Sequence, residues 1–328
     1  MHHIISDGWS MGLLVREILE LYRSYSQGGD NLLEPLKVQY KDYAAWHNSQ
    51  LESGEMKSHG DYWQQQLGGE LPLLNLPLDY PRGSIRSYEG DKLRFTLSKE
   101  QSDRIRQICS EQEVSLFMFF TALINVLLYS YSGQNDIIVG TTIVNRNDTD
   151  LETVIGIFLN SIALRNVLNR KDTFGECLFG VKQTVLDGFN AQAYPIEQIL
   201  IDLKAEKIEN RNPLYDVLLV LNNDGLVNTH NEVNEHLTIG DVSVDEGISK
   251  FDLTFFINEK TELEIAIEYS TALFNHATIE GMANKTQALI TEIVKDTDQT
   301  LNDILWKLSG KTSVPALIDV KELIGEEF

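Results

Sequence analysis

The chain has 328 residues, 42% of them hydrophobic and 23% charged, with a formal net charge of −22. That length and apolar content allow one large domain or two lobes with a real core. The deficit of Lys and Arg argues against a nucleic-acid partner, which needs cations for its phosphates; the acidic balance favours solubility and names no substrate.

In chain order, Met11, Leu14, Val15, Ile18, Leu21, Tyr22 and Tyr25 recur at helical spacing, and Gly28-Gly29 ends that helix. Residues 39–67 read as helical again, with Tyr40, Tyr43, Trp46, Tyr62 and Trp63 supplying bulk. Residues 71–82 contain three prolines and read as an extended connection. A lobe boundary is placed near it, giving segments 1–85, 86–305 and a linker or tail at 306–328.

Residues 92–97 alternate like a strand. Ser98-Lys99-Glu100-Gln101 and Thr173-Phe174-Gly175-Glu176 are capping boxes, predicting helices to about Ser110 and Phe189. Between them, the run 116–128 is almost wholly apolar and predicts a buried helix, too short to span a bilayer. Strands are predicted at 136–144, 214–221, 251–257 and 263–269, with a turn at 258–261. Residues 222–248 read as a polar, acidic loop, 276–296 as an amphipathic helix, and the pattern weakens after about Thr300. Cys109 and Cys177 sit in apolar helical patterns and are expected as free thiols. With no signal peptide or membrane span, a cytoplasmic location is expected. The mixture of strands and helices predicts an α/β (α+β) sandwich.

The chemistry-bearing segment is the first. Met1-His2-His3-Ile4-Ile5-Ser6-Asp7-Gly8-Trp9-Ser10 holds adjacent histidines, an aspartate and a glycine as one unit, HHxxxDG, just before a helix N-terminus. Histidine is suited to moving protons near neutral pH, a carboxylate can fix an imidazole or its loop, and glycine permits a turn. The helix end offers unpaired N–H groups to a polar intermediate. Competing readings are a tag remnant, for which two histidines are too few, a structural pair, and a metal site. The last is disfavoured because adjacent side chains on an extended segment point to opposite faces and no usual ligand spacing follows. Gly8-Trp9-Ser10-Met11-Gly12 also fits the G-x-S-x-G nucleophile elbow, but no apolar strand precedes it. Ser10 is better read as a helix N-cap. Gly310-Lys311-Thr312 lacks the earlier glycine of a phosphate loop and is read as tail.

Further motifs follow in order: Tyr40-Lys41-Asp42-Tyr43-Ala44-Ala45-Trp46, Ile155-Gly156-Ile157-Phe158-Leu159-Asn160-Ser161 ending at Arg165, Tyr194-Pro195-Ile196-Glu197, Arg211-Asn212-Pro213-Leu214 and Lys250-Phe251-Asp252-Leu253. Together with HHxxxDG they resemble the ordered motif set of the condensation domains of non-ribosomal peptide synthetases, over roughly residues 1–305. The resemblance implies two chloramphenicol-acetyltransferase-like lobes flanking a channel. The family places a further stretch of the first lobe ahead of HHxxxDG, so that lobe is expected to be incomplete and Asp7's arginine partner is expected in the absent part.

The resemblance further implies amide bond formation between a donor thioester and an acceptor amine, both on the 4'-phosphopantetheine of partner carrier domains. An adjacent adenylation domain is implied as a further neighbour. No cofactor or metal is expected on the domain itself. His3 is placed at the reacting nitrogen, His2 and Asp7 as loop supports, and Gly8 at the turn with its N–H near the intermediate. Trp9, Ser10, Asn160 and Arg165 are placed along the channel or the lobe interface. The alternatives are an epimerising or ester-forming relative and a non-catalytic carrier-docking module.

Overall fold

The computed structural model describes residues 1–206, 208–223 and 247–309. A 3-10 turn at His3–Ile5 leads into α1 (Gly8–Ser26), followed by α2 (Tyr40–Glu52) and α3 (Lys57–Gln66). The single helix expected over 39–67 is therefore two. The break falls where Gly54 adopts φ +78°, a left-handed conformation that stops a helix and suits glycine.

The remaining elements are β1 (Gly90–Thr96), α4 (Lys99–Glu111), α5 (Leu116–Ser132), β2 (Asp136–Ile143), β3 (Asn160–Val167), α6 (Phe174–Asn190), α7 (Ile196–Asp202), β4 (Val217–Asn223), β5 (Leu253–Glu259), β6 (Glu264–Ser270), α8 (His276–Ile293) and α9 (Leu301–Leu308). The strands form one sheet in the order β1-β6-β5-β4-β2-β3. β4 runs parallel to β2 and β5, and the other pairs are antiparallel. Helices α5, α6 and α8 pack on β2, on β3, and on β1 with β6, respectively. This is the mixed α/β layering predicted from the sequence.

The core is built around α5. Ser115 starts that helix with a capping box, Gly133 ends it at φ +70°, and every residue from Phe117 to Tyr129 is buried. A helix apolar on all sides has no face to offer water and must lie inside. Capping boxes at Ser98 and Thr173 start α4 and α6 as the sequence predicted. Cys109 and Cys177 are free, and burial pushes their thiols up to about 11 and about 12.

The sequence did not indicate β3 or α7 as elements, and the end of the chain needs correction. Instead of the pattern fading after Thr300, Thr300 caps α9 through Asp303 N–H. Leu301 and Ile304 are fully buried, with α9 packed on α8. An eight-residue helix with two inward residues carries too little periodicity to stand out. The expected loop at 222–248 falls mainly, and the Gly310-Lys311-Thr312 triplet wholly, outside the described residues. No single helix among the described residues is long and apolar enough to cross a membrane.

Candidate functional site

The two histidines occupy the first turn and use Nδ1 in opposite ways. His2 Nδ1 accepts from the Ile4 N–H at 3.1 Å. In the neutral ring its hydrogen then lies on Nε2. His3 Nδ1–H donates to Ser6 O at 2.9 Å, which leaves the lone pair on Nε2. Both rings are exposed. The Ser6 carbonyl fixes the orientation of the His3 ring. His2 is the N-cap of the turn.

Asp7 lies at the centre of the loop and is buried. It, not Ser10, is the N-cap of α1: its Oδ1 accepts from the Ser10 N–H at 2.8 Å. Ser10 sits one turn in, fully buried, with its hydroxyl 2.7 Å from Asp7 Oδ1 and 2.8 Å from Gly156 O. That hydroxyl also accepts from Gly156 N–H and from Arg146 Nη2. Its hydrogen and lone pairs are thereby occupied, which removes the elbow-serine reading.

The arginine partner of Asp7 lies within this chain. Arg146 Nη2 sits 3.2 Å from Oδ1 and 3.3 Å from Oδ2, with both side chains 2% exposed. The expectation of a partner in an absent stretch is corrected accordingly. Arg146 also donates to Leu151 O and Val154 O. Its guanidinium lies 4.0 Å over the Phe158 ring, a favourable cation–π placement. The Phe158 N–H in turn reaches Asp7 Oδ2 at 3.1 Å. Burial pushes the Asp7 carboxyl up, but the Ser10 hydroxyl and amide, the Phe158 amide and Arg146 outweigh it and hold the pKa below the ordinary value.

Gly8 is corrected as well. It is the first residue of α1, without positive φ, and an added Cβ would meet nothing within 4 Å. The turn does not need a glycine; what glycine leaves is open space above the helix end. Gly156 is the position that does. A Cβ there would lie 2.1 Å from the Tyr40 ring, and Tyr40 donates to Ile157 O at 2.8 Å. Tyr40 and Tyr43 pack on Phe158 at 5.2 and 4.6 Å. Three motifs far apart in sequence thus meet around Asp7.

The remaining site residues are placed as follows. Trp9 is half-buried, and its indole N–H donates to Glu152 O at 2.8 Å. Asn160 ties the start of β3 to the α6–α7 turn, donating to Gln192 O and Tyr194 O at 2.8 Å each. Arg165 lies five residues further along the strand, about 17 Å at a strand's rise. It binds Asp136 through two nitrogens and the carbonyls of Gly68 and Glu70. It belongs to the junction of α3 with the sheet, not to the HHxxxDG unit.

The last two motifs form a second ion cluster. Arg211 pairs with Asp216 at 3.0 Å and Arg82 binds both oxygens of Asp252. Arg146 is the functional residue that sequence reasoning missed. The only signal was an arginine just past a strand, 139 positions from its partner. Among the described residues no group of three or more His, Cys, Asp and Glu could hold a metal ion.

The family model "Condensation domain" matches residues 1–312. Bacitracin synthase 3 of Bacillus licheniformis is 40% identical over 305 residues, covering 93% of this chain and 5% of that protein. Gramicidin S synthase 2 of Brevibacillus brevis is 37% identical over 340 residues, with 100% and 7% covered. The chain therefore spans only a small fraction of the length of these curated relatives. Among solved structures, the X-domain from teicoplanin biosynthesis superposes with a TM-score of 0.82 at 24% identity, covering 92% of this chain and 70% of that one. The condensation domain of the monacolin K polyketide synthase MokA gives 0.76 at 20%, with 92% and 69% covered.

Proposed function

The chain belongs to the condensation-domain family, and from that premise we propose that it joins two carrier-bound amino acids through an amide bond. The single observation that carries this reading is the hydrogen bond between His3 Nδ1 and Ser6 O. A carbonyl can only accept, so Nδ1–H donates, and in the neutral ring the Nε2 of this exposed residue carries the lone pair.

The donor is an acyl thioester on the pantetheine arm of one carrier domain; the acceptor is the α-amine on another. The free amine attacks the thioester carbon, forming the C–N bond and a tetrahedral oxyanion over a cationic nitrogen. That nitrogen passes a proton to His3 Nε2. The C–S bond then breaks, and the departing thiolate takes the proton from the imidazolium. The amides of Gly8 and Trp9, which have no hydrogen-bond partner among the described residues, and the helix dipole favour the oxyanion. General base catalysis is worth about 10²–10⁴-fold, and holding both arms together in one channel supplies a proximity gain that can exceed it. His3 is the base, while Asp7 and Arg146 are positioning residues, holding the loop that carries it. The reaction is read as cytoplasmic, within a multidomain synthetase.

The test supplies loaded donor and acceptor carriers to the synthetase module that contains this chain and times dipeptide formation. We expect His3→Ala to slow it by about 10²–10⁴-fold with an unchanged circular dichroism melt, because the ring is exposed. Equal rates in both proteins would reject His3 as the proton acceptor.

A further inference from the structure

A cavity opens between α2 and residues 145–151, with Tyr43, Trp46, His47, Asn145 and Leu151 in its lining. Its volume is about 420 Å³, the range in which small ligands are enclosed. One side is aromatic. Tyr43, Trp46 and His47 stand at i, i+3 and i+4 on α2, so they share a helix face. Their rings are 5.6 to 6.3 Å apart. Asp42, on the same helix, and Asp148 and Asp150 also line the space.

Each of these carboxylates has one oxygen committed. Asp42 Oδ2 accepts from Gln39 N–H, Asp148 Oδ1 from Asp150 N–H, and Asp150 Oδ1 from Lys37 Nζ at 2.7 Å. The second oxygen of each has no hydrogen bond among the described residues. Lys37, with 75% of its side chain exposed, pairs with Asp150, and among the described residues neither Asp42 nor Asp148 has an ion pair. Aromatic faces attract cations and also accept aliphatic stems. A metal ion is a poor fit, since the acids do not form a metal-holding group.

We propose that this cavity binds a primary alkylammonium group on a short aliphatic chain, such as a lysine-type or ornithine-type side chain. The stem lies against Tyr43, Trp46 and His47 while the ammonium meets the free oxygens of Asp148 and Asp150. The site adjoins the Asp7–Arg146 unit through Tyr43, which packs on Phe158, and its lining includes neither His2 nor His3. Its occupancy is read by binding, so it stands or falls apart from the His3 reading.

The full chain is titrated calorimetrically with Nα-acetyl-L-lysine amide and with its neutral counterpart, Nα-acetyl-L-norleucine amide. The lysine probe is expected to bind at least tenfold more tightly and to change tryptophan emission, a change lost in Trp46→Phe. Asp148→Asn combined with Asp150→Asn reduces its affinity at least tenfold. Lys37→Met, which frees Asp150, increases it. Should the double variant fail to fold, Asp42→Asn, which keeps an oxygen for Gln39, gives a smaller loss. Equal affinity for the two probes, no saturation by either, or unaltered binding in the aspartate variants would overturn the proposal.

Discussion

Two arginine–aspartate units lie at opposite extremes of pairing in this molecule, and they balance charge differently. At the HHxxxDG loop one carboxylate, Asp7, receives the Ser10 amide and hydroxyl, the Phe158 amide and a guanidinium. At the end of the sheet two carboxylates, Asp216 and Asp252, lie close enough to repel, and Asp216 Oδ1 has no partner among the described residues. Burial raises both carboxyl pKa values. At Asp7 the donors reverse it; at Asp216 burial and Asp252 outweigh Arg211, Arg82 and Arg86, and the pKa is pushed up to about 6. The number of donors per carboxylate, more than depth, decides the sign.

The strongest way to break the contrast is to remove the partner from the well-paired unit. Arg146→Met leaves Asp7 buried against an apolar side chain and is expected to cost about 3–5 kcal/mol, read as a lower urea midpoint. A change below 1 kcal/mol would mean that Asp7 is not held by this pair. It should also detach the loop from Val154 and Leu151 and slow dipeptide formation.

A smaller effect sharpens the other half. Asp7 has a lowered folded pKa, so its stabilisation is present above the unfolded value and lost as pH falls through the folded one. Asp216 has a raised folded pKa, so the native state holds the extra proton between roughly 4 and 6 and stability falls as pH rises through that window. Asp216→Asn cannot ionise and keeps an acceptor for Arg211. It is expected to gain on the wild type by on the order of 1–3 kcal/mol between pH 4 and 7, at 1.36 kcal/mol per pKa unit. Urea midpoints measured at several pH values check this, and parallel profiles would refute it.

The smallest effect falls at Gly8. With open space around its would-be Cβ and no positive φ, Gly8→Ala should change stability by no more than about 0.5 kcal/mol. A large loss of dipeptide formation without loss of stability would show that the vacant volume belongs to the substrate.

Much of the fold was legible where a segment states its own environment. The capping boxes at Ser98 and Thr173 and the all-apolar α5 each carry their reason locally, and each forms where predicted. The motif order was legible too, and with it the family. β3, α7 and α9 were not, because two of the three are short and β3 sits inside a segment whose residues were read only as a motif. At the site, the His3–Ser6 hydrogen bond and the cap at Asp7 form within a few residues, yet the cap was assigned to Ser10 because both residues are good N-caps.

The sequence by itself determined the local units: helix starts, the buried helix, alternating strands and the histidine pair with its aspartate. Only the tertiary structure decided who neutralises Asp7, why Gly156 must lack a side chain, and that Arg165 serves a junction away from the histidines. The physical reason is range. Caps and periodicity are settled over one or two turns of chain, whereas a buried charge is satisfied by whichever donor the packing brings to it, here one 139 residues away.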